Sequence, residues 1–229
     1  MTITPTTLTR AAGVAAAVAG LLFIGVQINH PHLDATFATT TEYTVREILK
    51  VLFAALSLIG ITGMYLSQVK KNGVLGLIGY VLFGAGYLAV LSIQVVGVAV
   101  LPSLANSAPG YVDDVLAVTT GGTATGDVGL LQTLNLVGGI TFLVGGFLFG
   151  IALFRAGVLA RWAGALLTVG AVATIARSAL PEVNPRLFAI PIGVALVGLG
   201  YSLWRTARTE TTTPATAAHS QRVTTAGAE

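Results

Sequence analysis

Apolar runs about as long as a bilayer is thick recur along the chain, and the short stretches between them carry nearly all of its charge. A hydrocarbon core roughly 30 Å thick takes about 20 residues of helix to cross. Helix is required because no water is present there to satisfy backbone amides and carbonyls. Six segments have the length: residues 11–29, 45–67, 73–101, 128–154, 159–180 and 187–204. The pattern predicts an all-α, polytopic transmembrane helical bundle of about six spans over residues 11–204, flanked by a short N-terminal segment, 1–10, and a tail, 205–229. The tail is rich in Thr, Ala and Ser, a composition that buries too little surface to order itself, so disorder is expected. Arg10 precedes the first run as a basic residue precedes a signal peptide, but the run is too long and no clean cleavage pattern follows closely. It is therefore taken as a span.

Composition strengthens this picture. Hydrophobic residues make up 54% and charged residues 9%, with a mean hydropathy of +0.84, where soluble domains carry roughly 25% charge. So little charge does not solubilise a globule of this size. Cysteine is absent, which excludes disulfides, thiolate metal sites and cysteine nucleophiles. The formal net charge of +3 is spread between the apolar runs rather than gathered in a patch, so no nucleic-acid partner is expected.

The distribution of charge sets an orientation. Arg10, Lys70, Lys71, Arg155, Arg161, Arg205, Arg208 and Arg222 fall on the side shared by both termini, whereas Asp34, Glu42, Asp113, Asp114, Asp127 and Glu182 fall on the other. Basic residues are retained in the cytoplasm, so both termini are predicted cytoplasmic in a multi-pass protein of the cell membrane. Two longer outer loops follow, at about 30–44 and 102–127. A basic residue just before a Gly-Val helix start recurs at Arg10, Lys71 and Arg155, which would suit three parallel helical hairpins, although such residues end helices in any polytopic protein. Small residues such as Gly79, Gly86, Gly138, Gly145, Gly193 and Gly200 line several spans, as helix packing in lipid requires.

Ionisable groups inside a membrane are costly, and each one is a candidate for function. Lys50 lies inside the second span and Arg177 near the outer end of the fifth, with Gln27, Gln94, Gln132 and Asn135 at similar depth. Together they predict a polar layer beneath the outer surface, roofed by Glu42, Arg46, Glu47, Asp113, Asp114, Glu182 and Arg186. The inner half offers little beyond Thr and Ser. An outward pocket would use Lys50 and Arg177 to hold an acidic group; alternatively Lys50 pairs with Glu47 one turn away, and Arg177 snorkels to the surface. No carboxylate sits at mid-membrane, which disfavours ion-coupled transport. His30, His32 and Asp34 form the most ligand-like stretch, able to bind zinc or copper if Asp113 or Asp114 joined, though the spacing matches no defensible metal motif. Ser57, Ser92 and Ser178 have no His or carboxylate at helical spacing, so no catalytic set is identified. The Gly-rich stretch 121–126 lacks the Lys of a phosphate loop and is expected to be a flexible outer linker.

With its Arg10-Ala11-Ala12-Gly13 opening, charged residues starting the second span and short basic inner turns, the chain resembles small six-span bacterial integral membrane proteins over residues 10–205. That resemblance implies the architecture and no site, since the group carries no assigned activity. The favoured expectation is a non-catalytic bundle, without cofactor, acting through membrane lipids, a protein partner or its own copies. The alternatives are a carrier or sensor of a small or lipid-like anionic molecule, and a membrane-embedded metal-dependent enzyme at His30, His32 and Asp34.

Overall fold

The computed structural model describes residues 4–28, 31–176 and 189–225. These residues form helices: α1 (Pro5–Gly25), α2 (Ala35–Ala38), α3 (Thr41–Ser67), α4 (Val69–Ala99), α5 (Leu101–Leu104), α6 (Pro109–Thr119), α7 (Leu131–Ala156), α8 (Arg161–Ala176) and α9 (Ala189–Thr225). Four of them, α1, α3, α4 and α7, are long and apolar enough to cross a membrane. Only 33–39% of each apolar stretch is buried, so Leu52, Ile59, Leu66, Val81 and Leu88 leave an outer belt that water would not tolerate. The predicted fifth and sixth runs correspond to α8 and the start of α9, with the connection between them outside the described residues. Arg177, Glu182 and Arg186 lie in that connection, and His30 likewise falls outside the described chain.

The long helices begin and end where local chemistry dictates. Thr4 caps α1 by accepting from the Thr7 amide at 3.2 Å with Pro5 at the first helical position, so α1 starts six residues before its apolar run. Thr40 caps α3 in the same way through Tyr43 N. α7 closes on Gly157 at φ +64°, a left-handed cap open to glycine, whose amide donates to Leu153 O. The first amide before α8, on Ala160, donates to Ser202 Oγ of α9 at 3.0 Å.

Packing joins α1 to α3, α3 to α4, α4 to α7, α7 to α8, α8 to α9 and α9 back to α1, a closed ring of neighbours. Two of these pairs approach closely through glycine. Along α1 and α9, Gly13 faces Gly200 and Gly20 faces Gly193; a Cβ on Gly13 would lie 2.7 Å from Gly200 O. Along α4 and α7, a Cβ on Gly86 would lie 2.6 Å from Phe142 N. One close pair lies within a sequence hairpin and the other joins the first long helix to the last. The two tightest interfaces are thus not equivalent under a three-hairpin repeat.

The core has two parts. The larger runs through the bundle and includes Phe53, Ile61, Met64, Phe83, Tyr87, Phe149, Leu196 and Leu199. The smaller joins α2, α5 and α6 to the ends of α3 and α7 through Tyr43, Leu101, Val112, Val115, Leu116 and Val128. The predicted outer loops are therefore a folded cap over one end of the bundle; the other end carries the turns at Gln68 and Gly157. Within the cap, the stretch expected to be a flexible linker is tied down: Asp114 Oδ1 accepts from Thr125 N at 2.7 Å and from Thr125 Oγ1, and its Oδ2 accepts from Gly126 N. These bonds hold the Asp114 carboxyl below its ordinary pKa. At the far terminus α9 continues past Trp204 to Thr225, where composition predicts disorder; a helix meets its own backbone hydrogen bonds without needing buried surface.

Candidate functional site

Beneath the cap lies a cavity of about 330 Å³ bounded by α1, α3, α4 and α7. It gathers four residues of the predicted polar layer, Gln27 from α1's end, Lys50 from α3, Gln94 from α4 and Asn135 from α7, together with Glu47 of α3. Thr119 and Thr120 add hydroxyls from α6. The remaining wall is apolar or aromatic, with Phe23, Phe53, Phe142, Val90, Ile93 and Leu116 prominent.

Helical spacing explains this convergence. Tyr43, Glu47 and Lys50 are four and three residues apart, so they share one face of α3, and Phe53 continues it. That face meets α4 at Gly97, which a Cβ would place 3.0 Å from Glu47 Oε2; glycine there makes room for the carboxylate. The Tyr43 hydroxyl donates to Gly97 O at 3.2 Å and fixes the same contact. Glu47, expected on the roof, is instead in the cavity wall and only 3% exposed. A carboxylate so buried is retained only with a partner, and Lys50 Nζ supplies it at 2.5 Å.

The other polar groups divide into spent and unspent. Asn135 Nδ2 donates to Val118 O at 2.8 Å, so this side chain pins the end of α6 to α7. Thr119 and Thr120 return their hydroxyls to carbonyls of α6. The side-chain amides of Gln27 and Gln94, both half-buried, have no hydrogen-bond partner among the described residues. They are the cavity's side-chain amides with both donor and acceptor unspent, where Asn135 has committed its Nδ2.

Below this cavity the bundle is filled by rings. Phe23 stacks on Phe53 with centroids 4.5 Å apart, Phe53 meets Tyr87, and Tyr87 meets Phe83 and Phe142. Phe149, Tyr80 and Tyr65 carry the column towards the turns. The cavity thus has an aromatic floor, and its polar lining does not continue down the bundle axis.

Several expected members stand elsewhere. Gln132, one turn before Asn135, is exposed and does not line the cavity. Arg46 pairs with Glu42 at 2.9 Å and donates to Ile28 O, outside the cavity. Asp34 Oδ1 caps α2 through Phe37 N, and Asp113 Oδ1 accepts from Ala35 N, both at 2.7 Å. These two carboxylates therefore share the N-terminus of one short helix. His32 is exposed, and among the described residues no three His, Asp or Glu side chains gather as a metal site.

One pair of polar residues escaped the sequence reading. Gln68 and Asn72, at the turn between α3 and α4, are 3% and 5% exposed, with both Gln68 amide atoms and Asn72 Oδ1 unpartnered. They lie in the half expected to be nearly inert. Their positions at a basic turn, beside Lys70 and Lys71, look solvated in one dimension. Only the assembled bundle buries them.

Comparison of the chain with protein-family models, curated proteins and solved structures found no match.

Proposed function

We propose that this chain is a non-catalytic membrane protein that works by holding a small or lipid-like amphipathic molecule in the cavity beneath its cap. In this reading it crosses the cell membrane six times, α8 and the apolar part of α9 completing the spans as three helical hairpins, with both termini in the cytoplasm. The cap then faces outward. Support for the orientation comes from charge: Lys70, Lys71, Arg155, Arg161 and Arg205 lie at the turn end, while Asp34, Glu42, Asp113, Asp114 and Asp127 lie in or beside the cap.

The observation that carries the proposal is the cavity itself. Its volume of about 330 Å³ suits a small ligand, and a largely apolar wall with a few convergent polar groups is the ordinary form of a small-molecule site. A non-catalytic role is supported by the fate of its reactive groups. Glu47 and Lys50 occupy each other, and the buried Ser57 hydroxyl has no hydrogen-bonded base among the described residues. The aromatic floor favours retention over passage through the bundle.

Native mass spectrometry of protein taken from membranes in mild detergent tests this. The expected result is a co-purifying small molecule at near one-to-one stoichiometry, lost when Ile93→Trp fills the cavity and kept in Leu88→Trp, which alters an exposed position of the same helix. Wild-type protein that carries no small molecule under these conditions, and whose melting temperature responds to none of the amphipathic probes named below, would overturn the reading.

A further inference from the structure

We infer that the cavity selects an uncharged amphipath, one whose head both donates and accepts hydrogen bonds, over anionic, cationic or zwitterionic relatives. The inference rests on the binding role proposed above and specifies its ligand class.

The reason lies in which polar groups are already engaged. Lys50 is the only cation lining the cavity among the described residues, and Glu47 holds it at 2.5 Å. An anion would either draw Lys50 away, leaving Glu47, 3% exposed, as an unpaired buried carboxylate, or share Lys50 and place a second negative charge beside that carboxylate. A cation meets the mirror-image cost by drawing Glu47 from Lys50. A zwitterion would replace the pair with two new ion pairs, but it must break a contact between residues one turn apart on the same helix, where holding the pair requires little further ordering. An uncharged head meets no such penalty. Gln27 on the α1 side and Gln94 on α4 each offer an amide N–H₂ and a carbonyl oxygen with no partner among the described residues. A primary amide, phenol or alcohol complements them while its apolar body contacts Phe23, Phe53 and Phe142.

Four probes with one decyl chain separate these possibilities: decanamide, decanoate, decylammonium and a decyl betaine. Each is titrated into protein in lipid nanodiscs of fixed composition, and the shift in melting temperature is compared with that of Ile93→Trp to remove the effect of partitioning into lipid. The expected order places decanamide at least about tenfold tighter than the three charged probes, a difference of affinities that defines the selectivity. Gln27→Leu combined with Gln94→Leu should abolish the decanamide shift without lowering the melting temperature of the unliganded protein. Glu47→Gln should release Lys50 and create decanoate binding that the wild type lacks. If that variant does not fold, the wild-type order still decides. Decanoate, decylammonium or betaine binding as tightly as decanamide would overturn this inference while leaving the cavity a binding site. No difference from Ile93→Trp for any probe overturns it too. In that case a co-purified molecule would still uphold the broader proposal, and its absence would remove both.

Discussion

Lys50 and Glu47 contribute more through their mutual pairing than either does alone. Removing one partner strands a buried charge, so Glu47→Leu is expected to destabilise the protein by about 3 kcal/mol. The double variant, Glu47→Leu with Lys50→Met, should return to within about 1 kcal/mol of wild type, since an apolar pair replaces an ionic one. Unfolding in mixed micelles with increasing SDS measures both. Asp114 gives a second expectation at this scale. Its carboxyl titrates below its ordinary value of 3.8 when folded, because Thr125 and Gly126 donate to the ionised form. A depressed folded pKa contributes stability that is present above the unfolded value and lost as pH falls through the folded one. Residues 121–126 should therefore stay protected at pH 5 and above, and the amides of Thr125 and Gly126 should lose hydrogen-exchange protection only below 3.8. In Asp114→Ala that protection should be absent at every pH. Depth along a span puts Gln27, Gln94 and Asn135 at one level from sequence, and all three line the cavity. Whether a given side chain there is free or engaged was not legible, because Asn135 and Gln94 look alike until Val118 O is found beside one of them.

The helices owe their arrangement to small residues at specific crossings. Gly13 and Gly86 each abut a neighbouring backbone, so Gly13→Ala should push α1 from α9 and cost about 1–3 kcal/mol. Gly84→Ala, with nothing within 4 Å of the added carbon, should be neutral or stabilising by up to about 1 kcal/mol through helix propensity. The same unfolding assay distinguishes them, and equal losses at both sites would contradict the close-packing account. From sequence, the glycines marked which helices would have close neighbours but not which neighbours. The next long helix in the chain after α1 is α3, yet the α1 face carrying Gly13 and Gly20 meets α9, the last helix. Short loops predict antiparallel neighbours; ring closure depends on faces that only the assembled bundle brings opposite each other.

For the molecule as a whole, the absence of cysteine makes topology easy to test, because a single introduced thiol is the only one to react. In intact cells, Gly121→Cys in the cap should be labelled by a membrane-impermeant maleimide, and Lys70→Cys at the opposite turn should be labelled only after permeabilisation. The reverse pattern would invert the proposed orientation, and labelling of both in intact cells would break the six-span reading. The expected asymmetry, polar outside and inert inside, needs amendment. The capped end does hold the cavity, but Gln68 and Asn72 put buried, unsatisfied amides at the turn end as well.

The chain's apolar periodicity alone determined that it forms long membrane-type helices, and depth along those helices determined where a polar layer would lie. Both follow from one dimension, since a helix length matched to a bilayer and a residue's distance from its ends are counted along the chain. Tertiary structure decided what the layer encloses. It turned the outer loops into a cap, brought Glu47 from the roof into the wall, left Gln27 and Gln94 free among the described residues, and closed the floor with aromatic rings. Those outcomes depend on the rotation of each helix about its axis and on which faces pack, because a side chain is engaged or free according to neighbours far away in sequence.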